Sequence, residues 1–465
     1  MISTSRHRSP RALIMFAVAS SVTAGSMQAQ STSPAALTTA IDSIAQAALR
    51  DGPVAGMSIA VVRNGKILVS KGYGFADIEN QVPATPQTVY RIGSITKQFT
   101  AAGIMQLVES GKLSLDDEIT KYLPDYPEQG HHVLIRHLLN HTSGIRSYTS
   151  LGPEWTSKIR LDLPHDSLVA LFATKPFDFA PGDEWRYDNS GYYLLGMILE
   201  RVSGERYGTY LQEHIFDPLG LKSTYYCDVS PILPHRAQGY ETQRGVLRNA
   251  DYLSMSQPFA AGSLCSTTGD LATWTAALSG GRVVSATSYA RMSTPDTLNS
   301  GKRLDYGYGL GTGALGSHKL VSHSGGINGF LSVLNHFPQD SLIVVVLTNT
   351  EAGSPDEVAR KIERRLLNIP TAVVKDLAVN AADLSAYLGA YAKDANRFQI
   401  VARAGKVALV SADGDSTSLA FQGNDQFIDP KNPEFAVRFS RIGGRAAAMT
   451  ISEEGHVLLE AKRAD

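Results

Sequence analysis

A serine and a lysine one helical turn apart are a residue pair that can carry out acyl transfer. Ser94 and Lys97 stand in the run IGSITK, before apolar positions that repeat at helical spacing through Leu107. This spacing puts both side chains on one face of the predicted helix. A serine hydroxyl is a weak nucleophile at neutral pH, and a buried lysine with a lowered pKa can accept its proton. Because S-x-x-K also occurs at ordinary capped helix starts, it indicates chemistry only together with other residues.

A tyrosine and an asparagine form the second candidate group. Tyr187 and Asn189 follow the turn-forming run PGDEW and precede an apolar helical run from Tyr192 to Val202. This order predicts that both side chains lie where a loop enters a helix. A phenol can relay protons beside a cation, and an amide can hold a lysine and orient a substrate amide. The structural alternative is a buried aromatic residue beside a helix cap.

A glycine-rich segment before a strand supplies the third group. His323, Ser324, Gly325 and Gly326 precede a predicted strand that begins near Phe330. Small residues let a backbone edge approach a ligand closely, so its N–H groups can stabilise a tetrahedral oxyanion. The alternative is a glycine-rich hairpin that carries an exposed histidine.

Taken together, the three motifs resemble those of the serine β-lactamase and penicillin-binding-protein family, nearest to its class C, DD-carboxypeptidase and esterase-like branch. S-x-x-K, Y-x-N and H-S-G occur here in the order in which the family carries S-x-x-K, Y-x-N and K-T-G or H-x-G. The runs LLNHTSG at 138–144 and AGS at 261–263 are also similar to family sequences. Three motifs in order are far more specific than any one of them.

The resemblance implies an acyl-enzyme cycle. Ser94 would attack a carbonyl carbon, Lys97 and Tyr187 would carry the proton, and Asn189 would orient substrate and lysine. The oxyanion hole would combine the N–H groups of Ser94 and Gly326. His323, Ser324 and Gly325 would line the same substrate-binding edge, with the histidine facing the substrate or the tyrosine.

His323 departs from the β-lactamase pattern, in which lysine usually occupies this position. Histidine is a weaker, pH-dependent cation for a substrate carboxylate, and here it resembles the DD-peptidases, D-aminopeptidase-like enzymes and esterases of the family. The expected activity is hydrolysis of amide or ester bonds in a D-amino-acid peptide, a peptidoglycan-like substrate or a small ester. A β-lactamase is one alternative, and a penicillin- or peptide-binding protein that has lost turnover is the other.

Two other hydrolase chemistries fit the sequence less well. A metal site needs clustered ligands, and the histidine pair at helical spacing, His137 and His141, has no glutamate after its first member. An α/β-hydrolase would carry G-x-S-x-G, but the run GMSIA at 56–60 lacks the last glycine. We therefore expect neither a metal nor a cofactor.

The elements that must position these residues indicate an α+β fold. One strand pair is predicted around the Asn64-Gly65 turn and another from segments 330–337 and 342–347. Roughly two hundred residues between the pairs have helical periodicity, which predicts a helical subdomain inserted into an antiparallel sheet flanked by helices. Further helices are predicted at 35–49 and after Ser354, which opens a capping box.

The chain divides into three predicted segments. Residues 1–29 combine arginines, a short apolar run and no acidic residue, which predicts a cleaved secretory signal peptide. Residues 30–372 form the predicted hydrolase domain. Residues 378–465 contain short alternating runs separated by Gly, Asp and Asn, which predict a small all-β accessory domain, either a sheet or barrel-like. The mature protein is then expected in the periplasm or secreted, without a stable membrane anchor.

Composition and charge narrow the expected partners. The 43 Lys and Arg residues nearly balance the 44 Asp and Glu residues, so no basic surface for nucleic acid or an anionic membrane is indicated. We expect a small-molecule or peptide substrate and no obligate protein partner. Cys227 and Cys265 can form a disulfide after export or remain as buried thiols, and the sequence leaves both possibilities open.

Overall fold

The computed structural model describes residues 34–370 and most of the chain from 373 to 464. Short gaps fall at 371–372, 394–395, 404–405, 413, 415 and 454–455. The predicted signal peptide, residues 1–29, lies outside the described residues. None of the helices within the described ranges is both long enough and apolar enough to cross a membrane.

A seven-stranded antiparallel sheet forms the centre of the larger unit. The Asn64-Gly65 turn joins its first two strands, and both residues have positive φ, 51° and 71°, as a tight hairpin of this kind requires. Both predicted strand pairs are present. From edge to edge, the strands are β3 (Val82–Pro83), β2 (Lys66–Asp77), β1 (Gly56–Arg63), β12 (Leu342–Thr348), β11 (Phe330–Phe337), β10 (His318–Ile327) and β9 (Gly311–Leu315).

Strand β12 lies between two hydrophobic cores. All its residues are buried, so its sequence is a continuous apolar run rather than an alternating one. Val344 and Val346 pack in a core under two outer helices, α1 (Pro34–Asp51) and α12 (Pro355–Leu366). Val345 packs in the larger core on the opposite face. The sheet therefore has helices on both faces.

The two outer helices have the features that the sequence predicts. Helix α1 buries one apolar stripe at four-residue spacing, formed by Leu37, Ile41 and Ala45. The hydroxyl of Ser354 caps α12 by accepting a hydrogen bond from the N–H of Glu357 at 3.1 Å. The packing face of α1 and the start of α12 are therefore each set by residues only a few positions apart in the sequence.

A helical region lies between β3 and β9 in the chain and packs on the other face of the sheet. This arrangement confirms the predicted inserted subdomain. Its helices are α2 (Thr96–Glu109), α3 (Ile135–Leu139), α4 (Pro153–Thr156), α5 (His165–Phe172), α6 (Asn189–Ser203), α7 (Tyr207–Leu211), α8 (Asp217–Leu219), α9 (Phe259–Gly262), α10 (Thr268–Ser279) and α11 (Ala286–Met292). Its short strands are β4 (Tyr90–Arg91), β5 (Tyr225–Tyr226), β6 (Tyr240–Gln243), β7 (Val246–Asn249) and β8 (Leu264–Ser266).

Cys227 and Cys265 form a disulfide, which decides between the two states that the sequence left open. Their Cα atoms lie 5.2 Å apart. Cys265 belongs to β8, and this strand pairs with both β4 and β5. The covalent bond therefore joins a small sheet whose strand β4 leads directly to the serine turn.

Removing this disulfide is expected to destabilise the protein. The bonded cysteines are 38 positions apart, and constraint of a loop of that size in the unfolded chain corresponds to roughly 3–4 kcal/mol. Urea unfolding of the Cys227→Ala/Cys265→Ala double variant should show a lower midpoint than the wild type. A reductant should lower the wild-type midpoint and leave that of the double variant unchanged. Equal midpoints for the two oxidised proteins would contradict the prediction.

The last part of the chain forms a closed eight-stranded antiparallel barrel after helix α13 (Ala381–Tyr387). Its first and last strands pair with each other, so the barrel has no free edge. Tyr387, Phe427 and Phe439 meet in its core. The barrel strands are β13 (Gly389–Lys393), β14 (Asn396–Arg403), β15 (Lys406–Ser411), β16 (Ser416–Gly423), β17 (Gln426–Ile428), β18 (Phe435–Ile442), β19 (Arg445–Glu453) and β20 (His456–Arg463).

The barrel contacts the outer helix α12 through ion pairs. Arg360 pairs with Glu453 at 2.7 Å, and Arg364 pairs with Glu434 at 2.5 Å. The barrel therefore lies on the α12 side of the sheet, opposite the inserted helical region. The structure confirms the predicted α+β class and the additional all-β unit.

Candidate active site

Ser94 stands at the turn between strand β4 and helix α2. The 3-10 turn Gly93–Ile95 leads directly into the helix at Thr96. Gly93 has a φ of 49°, and a Cβ at this position would lie 2.9 Å from the carbonyl oxygen of Gly326. Glycine is needed here for both its φ and its close approach. The turn holds the half-buried Ser94 against the end of strand β10.

Lys97 is fully buried in the first turn of α2. Its Nζ donates to Ser94 Oγ at 3.1 Å, to Asn189 Oδ1 at 2.8 Å and to the carbonyl oxygen of Ala261 at 2.9 Å. Burial lowers the pKa of Lys97 to about 7, and the charge of Asp188 opposes this shift. Near neutral pH a large fraction of the lysine is therefore uncharged and able to accept the proton of Ser94.

Asp188 adds a buried carboxyl group to the same environment. It caps α6 by accepting hydrogen bonds from the N–H groups of Ser190 at 2.7 Å and Gly191 at 3.0 Å. The hydroxyl of Ser143 donates to it at 3.3 Å. Burial raises the pKa of Asp188 to about 7, while these hydrogen bonds and Lys97 act to lower it. Each member of the lysine–aspartate pair thus favours the charged form of the other.

Tyr187 lies against Lys97. The lysine Nζ is 4.7 Å from the centre of the tyrosine ring. The centres of the Tyr187 and His141 rings are 4.4 Å apart. The tyrosine hydroxyl is buried and makes no hydrogen bond within the part of the chain that the structure describes. Burial raises its pKa above the ordinary value, and the nearby hydroxyl of Ser94 opposes this rise. The phenol is therefore protonated at neutral pH and free to donate to a substrate atom.

The side-chain amide of Asn189 is fixed at both ends. Its oxygen accepts from Lys97, and its nitrogen donates to Thr149 Oγ1 at 3.1 Å. Its backbone N–H donates to Ser147 Oγ at 3.1 Å. As the first residue of α6, Asn189 connects the lysine on one helix with the loop that precedes the other.

Gly325 and Gly326 let strand β10 run against the serine turn. A Cβ on Gly325 would lie 2.1 Å from the carbonyl oxygen of Ile92 and 3.0 Å from the nitrogen of Ser94. Strand β9 pairs with β10 only as far as Ser322. Beyond that residue no strand among the described residues pairs with this backbone edge of β10, so its N–H groups can face a ligand beside the serine.

His323 is buried, and both of its ring nitrogens are engaged. Nδ1 lies 2.6 Å from the carbonyl oxygen of Ser324, and Nε2 lies 2.8 Å from the hydroxyl of Tyr306. Because a carbonyl only accepts, Nδ1 donates to it and Nε2 accepts from the tyrosine. Burial, and then the charge of Lys97, lower the pKa of His323 to about 4. The sequence suggests a pH-dependent cation, whereas this burial and the lowered pKa favour a neutral imidazole at neutral pH. The side chain of Ser324 is exposed.

Gly325→Ala is expected to slow the labelling of Ser94 by a fluorophosphonate at least roughly tenfold, because the added methyl must displace β10 from the serine turn. The matched control is Gly313→Ala on β9, where an added Cβ meets nothing within 4 Å. Stopped-flow or gel-based labelling rates measure the effect. Equal rates in the two variants would show that the close packing of β10 is not required.

A cavity of about 110 Å³ opens beside Ser94. None of the described residues that line it carries a charge, and none belongs to the barrel. The cavity is lined by Gly93, Ser94, Tyr148, Thr149, Trp155, Asn189, Leu253, Pro258, Ala261, Gly262, Gly326, Ile327 and Asn328. Larger cavities lie beside α12, but Ser94 lines this smaller one.

The sequence as a whole places this site in a known family, since the beta-lactamase family model matches residues 41–369. The chain belongs to the beta-lactamase family. All the motif residues described above fall inside the matched range, and the barrel follows it.

The chain is similar to several known proteins over most of its length. The chain is 31% identical over 359 residues to Penicillin-binding protein 4* of Bacillus subtilis (strain 168), which covers 72% of this chain and 78% of that protein. The octameric penicillin-binding protein homologue from Pyrococcus abyssi has a TM-score of 0.67 at 27% identity, over 91% of this chain and 100% of its own. The D-amino acid amidase from Ochrobactrum anthropi SV3, complexed with L-phenylalanine amide, has a TM-score of 0.63 at 27% identity, over 71% and 99%.

The predicted residues of this beta-lactamase family site are brought together to different degrees. The amine of Lys97 contacts Ser94, Tyr187 and Asn189. Gly326 lines the cavity with the serine. The other three predicted residues of β10 do not line the cavity: Gly325 packs against the serine turn, Ser324 is exposed, and His323 is bonded to Tyr306.

Sequence reasoning missed four residues that shape this beta-lactamase family site. Asp188 places a buried carboxyl group near Lys97, and the carbonyl of Ala261 accepts a hydrogen bond from that lysine. Tyr306 bonds to His323, and the ring of His141 packs against Tyr187. His141 has a φ of 62° and accepts the N–H of Asp188 at its Nδ1. The runs LLNHTSG and AGS contain two of them, but the sequence shows only that those runs resemble the family.

Proposed function

We propose that this protein is a serine hydrolase that cleaves amide or ester bonds through an acyl-enzyme on Ser94. One observation carries the proposal: a buried lysine amine lies 3.1 Å from Ser94 Oγ and is held by two further acceptors. Because burial lowers the pKa of Lys97 to about 7, the amine is an effective base near neutral pH. A protein that only binds ligands has no use for a desolvated lysine against a serine.

The proposed reaction has two halves. Ser94 Oγ attacks the carbonyl carbon while its proton passes to Lys97 Nζ, and the tetrahedral intermediate then expels an amine or alcohol. The leaving group takes up a proton, for which the unpaired hydroxyl of Tyr187 is the nearby donor, and the tyrosine regains one from Lys97. Water then attacks the acyl carbon and gives a proton to the Lys97 amine. The bond from this carbon to Ser94 Oγ breaks, the acid leaves, and Lys97 returns the proton to Ser94 Oγ.

The negative charge that develops on the carbonyl oxygen needs N–H donors. We propose the backbone N–H groups of Ser94 and Gly326, because the two glycines of β10 bring this strand next to the serine turn. His323 takes no proton in the proposed scheme. Its proposed contribution is to fix β10 through Tyr306, since its nitrogens already have partners.

Amides and esters derived from D-amino acids are the proposed substrates, which include peptidoglycan-like D-peptides and small esters. Similarity to the D-amino acid amidase from Ochrobactrum anthropi and to Penicillin-binding protein 4* supports this class. A β-lactamase is the second candidate, since the chain has the family's serine and lysine. A binding protein without turnover is the third, and release of product distinguishes it from both enzymes.

Covalent trapping combined with turnover tests the proposal. Wild-type protein is mixed with a fluorophosphonate, and peptide mapping by mass spectrometry locates the label. In parallel, release of product is followed from D- and L-phenylalanine amide, the matching ethyl esters and a penicillin. A label on Ser94 together with faster cleavage of the D-amide and D-ester is expected. A label on Ser94 without release of product from any compound would favour the binding protein, and absence of the label would refute the mechanism.

The rate should depend on pH through the base. Lys97 must be uncharged to accept a proton, and its pKa is about 7. Below this value kcat/KM should fall about tenfold for each pH unit, and above pH 8 it should level off. Hydrolysis measured from pH 5 to 9, with circular dichroism at each pH as the control for unfolding, checks the profile. A flat profile in folded protein would exclude Lys97 as the base.

We also propose that the protein is exported and acts in the periplasm or after secretion. The disulfide between Cys227 and Cys265 supports this location, because such bonds persist in oxidising compartments. A substrate of small-molecule or peptide size, no nucleic acid and no obligate protein partner remain part of the proposal. Fractionation of cells that express the full chain, with mass spectrometry of the mature N-terminus, tests it.

A further inference from the structure

We infer that the group expelled from the acyl donor carries no free carboxylate, so that the natural substrates are neutral amides, esters or capped peptides rather than peptides with a free C-terminal residue. This inference rests on the proposed function, because it concerns the substrate of the same serine. It narrows that function by excluding carboxypeptidase substrates as good acyl donors.

The first support is that both ring nitrogens of His323 already have hydrogen-bond partners. A histidine that binds a carboxylate must offer it a proton, and here the Nδ1 proton goes to the carbonyl oxygen of Ser324. Nε2 accepts from the Tyr306 hydroxyl, so it can donate only after it gains a proton and that bond is broken. The ring is also buried. The H-S-G motif at 323–325 therefore lacks the cation that would bind a substrate carboxylate.

The second support is the charge around the cavity. The lining side chains are uncharged, and Lys97 must itself be neutral to act as the base. Arg146 and Arg186, which lie near the site loops, are both paired with Asp178, at 2.7 and 2.9 Å. Arg91, three residues before Ser94, packs over the ring of Phe330 at 6.0 Å from its centre and does not line the cavity. A carboxylate that enters the cavity would lose its hydration without gaining a partner of opposite charge.

The third support is the acidic surroundings of the β10–β11 hairpin at the cavity rim. Asn328 donates to the backbone carbonyl of Asp251 at 3.1 Å, and the N–H of Gly329 donates to a carboxylate oxygen of Glu351 at 2.7 Å. Asp251 is paired with Arg160 at 3.0 Å, on the exposed surface. The hairpin is thus bonded to the carboxylate of Glu351 and to the backbone of a second acidic residue, Asp251, which disfavours an anionic leaving group at the rim.

Apolar walls complete the match with a neutral donor. Tyr148, Trp155, Leu253, Pro258 and Ile327 line the cavity. Their surface gains from contact with apolar parts of a substrate, whereas a carboxylate gains nothing there. Neutral esters and amides with an apolar or aromatic group are therefore the favoured class.

Two thioesters with the same acyl group test the inference. The N-benzoylglycyl thioesters of mercaptoacetic acid and of mercaptoacetamide differ in one charged group, and both acyl bonds are reactive. The wild type is expected to cleave the acid at least roughly 30-fold less efficiently than the amide, as kcat/KM at pH 8. The variant Asn328→Lys, which adds a cation at the rim, should narrow this ratio roughly tenfold. The neutral control Asn328→Gln should leave it unchanged.

The outcomes separate this inference from the function on which it rests. Equal cleavage of both thioesters by the wild type, or a ratio that Asn328→Lys does not move, would overturn the inference while the serine hydrolase stands. Labelling of Ser94 by a fluorophosphonate without cleavage of the neutral thioester would also overturn it. If Ser94 is not labelled and neither thioester is cleaved, the proposed function itself fails.

Discussion

Ser94→Ala protein is expected to form no covalent adduct with a fluorophosphonate and to lose at least about 10⁴-fold of its hydrolytic rate. The substitution removes only Oγ, whose bond with Lys97 is one of three that hold the lysine amine. The other two acceptors stay in place, so the fold and the cavity should be retained. Intact-protein mass spectrometry and product release measure the two losses, and circular dichroism checks the fold.

A matched serine outside the site provides the control for this first prediction. Ser43 lies exposed on α1 and bonds only within its own helix, to the carbonyl oxygen of Thr39 at 3.0 Å. Ser43→Ala should keep the full adduct yield and rate. Turnover like that of the wild type in the Ser94→Ala protein would refute the acyl-enzyme mechanism outright.

Lys97→Ala should lower the rate of acylation by roughly 10²–10⁴-fold, the range typical for loss of a general base. The physical reason is that no other described side chain with a pKa near 7 bonds to Ser94 Oγ, because the Asp188 carboxyl accepts from the N–H groups of Ser190 and Gly191 instead. The residual rate should lose its dependence on a group with a pKa of about 7. Single-turnover labelling across pH 5 to 9 measures both changes.

Chemical rescue distinguishes a lost base from a disturbed fold in the second prediction. Methylamine added to Lys97→Ala should restore part of the rate, because the truncated side chain leaves room for a small amine beside the acceptors on Asn189 and Ala261. Lys71→Ala, which removes a lysine paired with Asp42 on the surface, is the control and should neither lose activity nor respond. Acylation at the wild-type rate in Lys97→Ala without amine would show that another group takes the proton.

The parts of the fold that depend on nearby residues were predictable from the sequence. The Asn64-Gly65 hairpin, the continuous apolar run of β12 and the cap of α12 at Ser354 each follow from signals within a few positions. The closure of the last eight strands into a barrel was less predictable, because it depends on β13 meeting β20. Alternation of apolar residues indicates strands, but the same pattern suits an open sheet.

The candidate site also has features that were predictable from the sequence and features that were not. The relation of Ser94 to Lys97 was predictable because a helix fixes it. The burial that lowers the pKa of Lys97 was not, since it arises from residues on other elements, among them Ala261. For His323, the sequence indicated the residue type but not its partner Tyr306, nor the burial that lowers its pKa. Charge states depend on packing between distant segments, and a single sequence does not contain that packing explicitly.

The order of the strands in the central sheet has a consequence for the newly made chain. Strand β1 pairs with β12, so that Met57 meets Thr348, about 290 residues later. Strand β10, whose Gly325 and Gly326 pack beside Ser94, is likewise synthesised more than two hundred residues after the serine. Bringing such distant segments together is entropically costly and slow. A ribosome-bound chain thus carries the proposed nucleophile and base long before the strand of the proposed oxyanion hole is made, so we expect no hydrolysis from the chain during synthesis.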